Sequence, residues 1–313
     1  MLVQAMTNAP AYIPKNDHAV LGVIFMILFC VTAPILDVFA KLAAETVPVG
    51  QITAARFLVQ AILMVPLAYF YDKTLTFRPK LLSRLVFRSL MLVASTYCFV
   101  AAIAVMPIAD ALAIVFVEPF ILLLIGKYIY AEEVGPRRLT ASIIGFLGVI
   151  LIIQPSFVAF GWITLFPLGT ALCFALYMIS TRSLSRHMNT IAMQAHTAWI
   201  GAAIVIPVIV LADGSGIAAI DPVMPNGVYW WYLIGMGIAA TVAHLFMSYA
   251  LSVAPSSTLA PLHYLEIVSA VILGYIIFSD IPNASAVAGM LIVMSCGLYI
   301  VYREQKIARQ TQL

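Results

Sequence analysis

The chain has 313 residues, of which 64% are apolar and 9% charged, with a net charge of +3 and a mean hydropathy of +1.07. A soluble domain carries roughly 25% charged residues, and a folded surface of this size could not hide so much apolar side chain from water. The composition excludes an ordinary soluble enzyme, a nucleic-acid-binding domain and a disordered chain. It leaves a polytopic membrane protein with no room for a large soluble domain.

A polar tail, Met1–His18, precedes the charge-free run Ala19–Leu36. That run is longer than a signal-peptide core of about 7–15 residues, and no small-residue cleavage site follows it. It reads as a retained first span. Each crossing needs about 20 apolar residues, and ten helices are expected. Spans 1 to 3 fall near Ala19–Ala44, Val49–Tyr71 and Phe87–Val105. Spans 4 to 6 fall near Ile108–Tyr130, Leu139–Ile153 and Trp162–Thr181. Spans 7 to 10 fall near Ile191–Leu211, Val228–Leu251, Ser256–Phe278 and Ala284–Tyr302. Pro155 with Gly161, and Pro255, are the expected breaks inside the two longest uncharged stretches. No strand-like alternation is present, which argues against a transmembrane barrel.

Charge sets the orientation. With the N-terminus inside, the inner loops, tails and helix ends hold Lys15, Lys73, Arg78, Lys80, Arg84, Arg88 and Lys127. They also hold Arg137, Arg138, Arg182, Arg186, Arg303, Lys306 and Arg309. Every basic residue except Lys41 and Arg56 is then cytoplasmic, as the positive-inside rule requires. The outer loops carry only acids, such as Glu45, Asp213 and Asp221.

The second half repeats the first. A shift of 148 residues brings Pro107 onto Pro255, Glu118 onto Glu266, Gly126 onto Gly274 and Glu132 onto Asp280. A shift of 141 brings Lys41 onto Arg182 and Pro66 onto Pro207. A shared glutamate inside a span carries the most weight, because charge in a membrane core is costly. Five spans per copy is an odd number, so the copies face opposite ways. The expected fold is an all-α membrane protein of ten transmembrane helices arranged as two inverted five-helix repeats, residues 19–155 and 156–302. Tails 1–18 and 303–313 would be cytoplasmic. Inverted repeats are characteristic of secondary transporters, whose site lies near the mid-plane between the copies.

The chain resembles the drug/metabolite transporter superfamily, in its ten-helix form built from two EamA domains. The resemblance rests on Arg56, the Pro107–Ala109 turn, Pro119, Glu132, Gly145 and Gly148. In the second copy it rests on Pro255, Gly274, Asp280 and Gly289, with Asp280 standing where the family usually has Glu. It covers nearly the whole chain and implies a multi-pass protein of the cell inner membrane that moves a small-molecule substrate. Within the superfamily the chain is similar to bacterial vitamin and metabolite importers. That likeness implies riboflavin uptake first, with S-adenosylmethionine, an amino acid or a drug as alternatives.

Polar side chains within the spans supply the candidate site. His263 and Glu266 are three apart and share a helix face. Glu118 is the repeat mate of Glu266, and His244 stands in a polar stripe with Thr241 and Ser248. Tyr97, Tyr177 and Tyr264 are polar-tipped aromatics suited to an organic ring. These seven residues, Glu118, His263, Glu266, His244, Tyr97, Tyr177 and Tyr264, are the expected substrate contacts. The glutamates equally read as protonated structural groups, and a membrane histidine as a backbone partner. Asp37 and Lys41 form an expected i,i+4 ion pair or gate, with Arg56 pairing to Asp37 or Asp110. Spans 1, 3, 4, 6, 8 and 9 should face an aqueous cavity. Spans 5 and 10, nearly free of polar groups, should be scaffold packed through glycine.

Other classes fare worse. HExxH, an aspartyl-protease pair, a nucleophile elbow and a phosphate-binding loop are all missing from the sequence, so no enzyme is expected. Cys30, Cys98, Cys173 and Cys296 are widely spaced in apolar runs and read as small core residues. No metal and no cofactor is expected. The expected partners are substrate, membrane lipid and protons as a coupling ion, with no nucleic acid, in a monomer or homodimer. Alternating access by two rocking halves is the expected mechanism, and import and export both stay open.

Overall fold

The computed structural model describes residues 19–72, 81–129, 136–184, 187–253, 259 and 262–311. Among them the secondary structure is helical throughout, with no strand. In chain order the helices are α1 (Ala19–Ala43), α2 (Val49–Asp72), α3 (Leu82–Ile103), α4 (Ile108–Val115) and α5 (Glu118–Ile129). Then follow α6 (Pro136–Phe160), α7 (Phe166–Leu184), α8 (Thr190–Leu211), α9 (Val228–Val253), α10 (Leu265–Phe278) and α11 (Ala284–Thr311). Among the described residues seven stretches are long and apolar enough to cross a membrane, and α10 and residues Ala284–Ile300 of α11 are shorter apolar helices. One of the seven, Leu139–Thr181, takes in most of both α6 and α7. Lys15, Lys73, Arg78, Lys80, Tyr130, Glu132, Arg186, Pro255 and the Ser256 start of span 9 lie outside the described residues.

Several sequence expectations change. Pro155 does not break its helix; α6 runs through it to Phe160. Prolines 34, 66 and 207 likewise sit inside α1, α2 and α8. In a bilayer an interior proline is tolerated where neighbouring helices re-satisfy the freed backbone groups. The turn comes instead at Gly161, whose φ of +65° is open to glycine, and a 3₁₀ turn, Gly161–Leu165, leads into α7. Span 3 starts earlier than expected, at Leu82, so Arg84 and Arg88 belong to a helix and not to a loop.

Span 4 is broken. α4 ends at Val115, Phe116 and Val117 turn, and α5 starts at Glu118. Pro119 has no N–H to give the Val115 carbonyl, so the α-helical ladder cannot pass this point. The Phe120 amide bonds the Val117 carbonyl instead, at 2.9 Å. In the second half α10 begins after a turn at Tyr264, with the Ile267 amide on the Tyr264 carbonyl at 3.3 Å. Glu118 and Glu266 therefore each stand in the first turn of a helix that starts afresh inside the protein.

Helices of the two halves pack against each other, among them α1 with α9, α3 with α7, α2 with α8, α4 with α10 and α6 with α11. Numbered by span, these are 1·8, 3·6, 2·7, 4·9 and 5·10. Exchanging the halves turns 1·8 into 6·3 and leaves the other three pairs as they are. The packing therefore has the symmetry of the sequence repeat.

α6 and α11 pack mainly against each other. Gly148 and Gly289 face each other where the two helices cross. Outward, α6 presents Ile143, Ile144, Phe146, Leu147 and Ile150, and α11 presents Val287, Leu291 and Leu298. The scaffold role expected of spans 5 and 10 matches this geometry.

Candidate functional site

A cavity of about 140 Å³ lies among α1, α2, α3, α4, α5, α7, α9 and the start of α10. Every span expected to face it does so, and span 2 joins them through Arg56. Its charged and titratable walls are Asp37, Arg56, Glu118, His244, His263 and Glu266.

The helix breaks explain how two carboxylates come to face one space. A helix start leaves several N–H groups without carbonyl partners and carries partial positive charge, which suits a carboxylate. Glu118 and Glu266 are 9% and 8% exposed, within electrostatic reach of each other and of His263. His263 Nε2 lies 3.0 Å from Glu266 Oε2, so the shared face expected from their spacing is a direct contact. The His263 ring is held by Phe29, with centroids 5.4 Å apart, and by Phe116, at 5.3 Å.

Arg56 stands on the same cavity. It is buried on α2, donates to Thr96 Oγ1, and its Nη2 lies 2.9 Å from His244 Nε2. A guanidinium can only donate, so Nε2 accepts and the His244 proton is on Nδ1. Among the described residues no carboxylate stands within ion-pairing distance of Arg56, and its Nε has no hydrogen-bond partner. The expected direct pairing of Arg56 with Asp37 or Asp110 is therefore not formed. Asp37 lines the same cavity and feels the charges of both Arg56 and Glu266.

The expected pair Asp37–Lys41 is not formed either. Lys41 Nζ bonds Asp280 Oδ2 at 2.8 Å and the Met106 carbonyl at 3.1 Å, and lies over the Phe278 ring at 4.7 Å. Asp280 is carried there by the end of α10. Ser279 takes a left-handed conformation, its amide bonds the Tyr275 carbonyl, and the Asp280 amide bonds the Gly274 carbonyl. This Schellman closure turns the chain back. Asp110 is buried beside this cluster and does not line the cavity.

None of the three tyrosines lines the cavity. Tyr97 is half-buried on α3 and missing from the wall. Tyr264 packs on Phe116 at 5.0 Å, and its hydroxyl lies against Gly297 of α11. The Tyr177 hydroxyl accepts a bond of 2.8 Å from Arg88. Arg88, expected at an inner loop, is fully buried between α3, α7 and α8, donating also to Thr181, Thr197 and the Met193 carbonyl. The aromatic lining instead comes from Phe29, Phe99, Phe116 and Phe174. With 17 phenylalanines in the chain, no single one stood out.

The EamA-like transporter family matches residues 20–154 and again residues 161–303. An S-adenosylmethionine uptake transporter of Rickettsia prowazekii (strain Madrid E) is 25% identical over 287 residues, spanning 91% of this chain and 94% of the relative. A riboflavin transporter of Vibrio cholerae serotype O1 is 25% identical over 301 residues, spanning 94% and 97%. A solved protein crystal structure superposes with a TM-score of 0.62 at 17% identity, covering 92% of this chain and 98% of the other, and so shares the fold. Apolar helices, a half-exchanging helix packing and a family match over both halves agree: the chain is a multi-pass membrane protein and a member of the EamA-like transporter family.

Proposed function

We propose that this transporter is a secondary carrier that binds one small organic metabolite in the cavity and releases it by alternating access. Residues 19–155 and 156–302 are its two inverted repeats, crossing the inner membrane ten times with both tails cytoplasmic. The observation that carries the reading is the placement of Glu118 and Glu266. Two carboxylates, matched by the repeat, stand at fresh helix starts and face one cavity between the halves. Helix breaks at the mid-plane are where transporters of inverted-repeat design bind cargo and coupling ions.

The aromatic walls suit a flat, hydrogen-bonding solute. Riboflavin and S-adenosylmethionine, the cargoes in the relatives' names, both carry a flat nitrogen heterocycle. Glu118, Glu266 and His263 are groups able to take up and release a proton, so protons are the proposed coupling ion. The test is flux in proteoliposomes with and without a pH gradient. Glu118→Gln and Glu266→Gln should each lower gradient-driven flux by at least about tenfold, the scale of one lost charged interaction. Unchanged flux in both variants would overturn the reading.

A further inference from the structure

We propose that the cargo is a zwitterion of the α-amino-acid type, with an aromatic body, whose carboxylate binds Arg56 and whose cationic end faces Asp37, Glu118 and Glu266. This inference rests on the carrier reading and narrows its cargo. A buried guanidinium needs a partner able to balance its charge. Arg56 has only uncharged acceptors, Thr96 and His244, and its Nε is unpartnered among the described residues. A carboxylate entering from the cavity supplies what the protein leaves out, and planar bidentate binding is what the guanidinium fork does best.

The acidic wall has the reverse imbalance. Glu118 and Glu266 share a single imidazole, His263. Asp37 lies in electrostatic reach of both Glu266 and Arg56. An ammonium or other cationic centre offsets this excess of carboxylates. The remaining walls are mostly phenylalanine and aliphatic side chains, with Ser95, Thr96 and Thr170. One apolar-walled cavity thus holds an anion site and a cation site, with Asp37 in electrostatic reach of both, which suits charges carried on neighbouring atoms of one solute. A neutral flavin would leave both sites uncompensated. A phosphate ester would meet three carboxylates against one arginine. The charge layout therefore favours S-adenosylmethionine, one of the alternatives weighed from the sequence, over riboflavin.

The experiment uses the full-length protein in proteoliposomes loaded for counterflow. S-Adenosylmethionine, its decarboxylated analogue, its deaminated analogue and riboflavin compete with one another. The intact zwitterion should compete at least about tenfold better than either analogue. Arg56→Gln should bring the zwitterion and its decarboxylated analogue to equal potency, and Arg56→Lys should restore part of the difference. The analogue series on the wild-type protein decides the matter even where an Arg56 variant fails to fold. Equal potency of acid and decarboxylated analogue in the wild type overturns the inference. So does riboflavin flux without zwitterion flux, which leaves the carrier reading standing. No flux of any of the four also overturns the inference, and the carrier reading then stands or falls on the Glu118→Gln and Glu266→Gln variants.

Discussion

A β-carbon at Gly289 would lie 2.5 Å from the Gly148 carbonyl oxygen and 2.5 Å from Ile152 Cγ1. Ordinary contact is 3.4–4 Å, so α6 and α11 would have to separate by roughly 1 Å, and a backbone oxygen cannot swing aside. Overpacking of this kind costs about 1–3 kcal/mol. Alanine regains about 1 kcal/mol of helix propensity over glycine, so Gly289→Ala should lose up to about 2 kcal/mol, and Gly289→Val, with two further methyls and poorer propensity, more. Gly274→Ala is the control. Its β-carbon would meet only Asp280 Cβ, at 3.9 Å, so it should keep the propensity gain and be neutral or stabilising. Thermal unfolding in detergent, followed by the loss of monodisperse protein, reads all three. Gly289→Ala as stable as wild type, or Gly274→Ala the less stable of the two, would refute the close crossing of α6 and α11.

The Lys41–Asp280 pair ties α1 of the first half to the end of α10 in the second, and Lys41→Met removes it with the bond to Met106. Charge-assisted bonds contribute about 1.5–3 kcal/mol each. Impermeant maleimide should therefore label Leu36→Cys about tenfold faster in the Lys41→Met background, measured against the same protein without the added cysteine; an unchanged rate would show that the pair does not restrict access to the cavity. Arg88, buried without a carboxylate at ion-pairing distance among the described residues, should tolerate Met better than Ala. Arg88→Met loses hydrogen bonds but also a desolvated charge, whereas Arg88→Ala opens a void as well. Melting temperatures in the order wild type, Met, Ala are expected, and an Ala variant more stable than Met would contradict it.

Much of this was legible in the sequence because membrane helices are written in composition. The apolar runs follow from the length of a membrane crossing, the glycine packing of spans 5 and 10 from close helix approach, and the Glu118, His263, Glu266 and His244 group from side chains whose burial in lipid is costly. The breaks were not legible. Span 4 reads as one apolar run, and Pro119 stops it although Pro155 does not stop α6. A proline's effect depends on what neighbouring helices offer the freed carbonyl. Lys41 prefers Asp280 over Asp37 through a tertiary turn at Ser279 that spacing along one helix cannot reveal. Two tyrosines are held away from the cavity by other contacts: the Tyr177 hydroxyl accepts from Arg88, and the Tyr264 ring packs on Phe116 with its hydroxyl close to Gly297. Phenylalanine, with no polar tip to satisfy, was left to line the cavity.

The central claim is that the space between the halves is the path of the cargo, and filling it tests that most directly. Val115 lines the cavity on α4, and Leu147 faces outward on α6. Flux of radiolabelled cargo should be abolished in proteoliposomes holding Val115→Trp and retained with Leu147→Trp, with both proteins monodisperse and similar in melting temperature. Wild-type flux through a folded Val115→Trp protein would contradict the account.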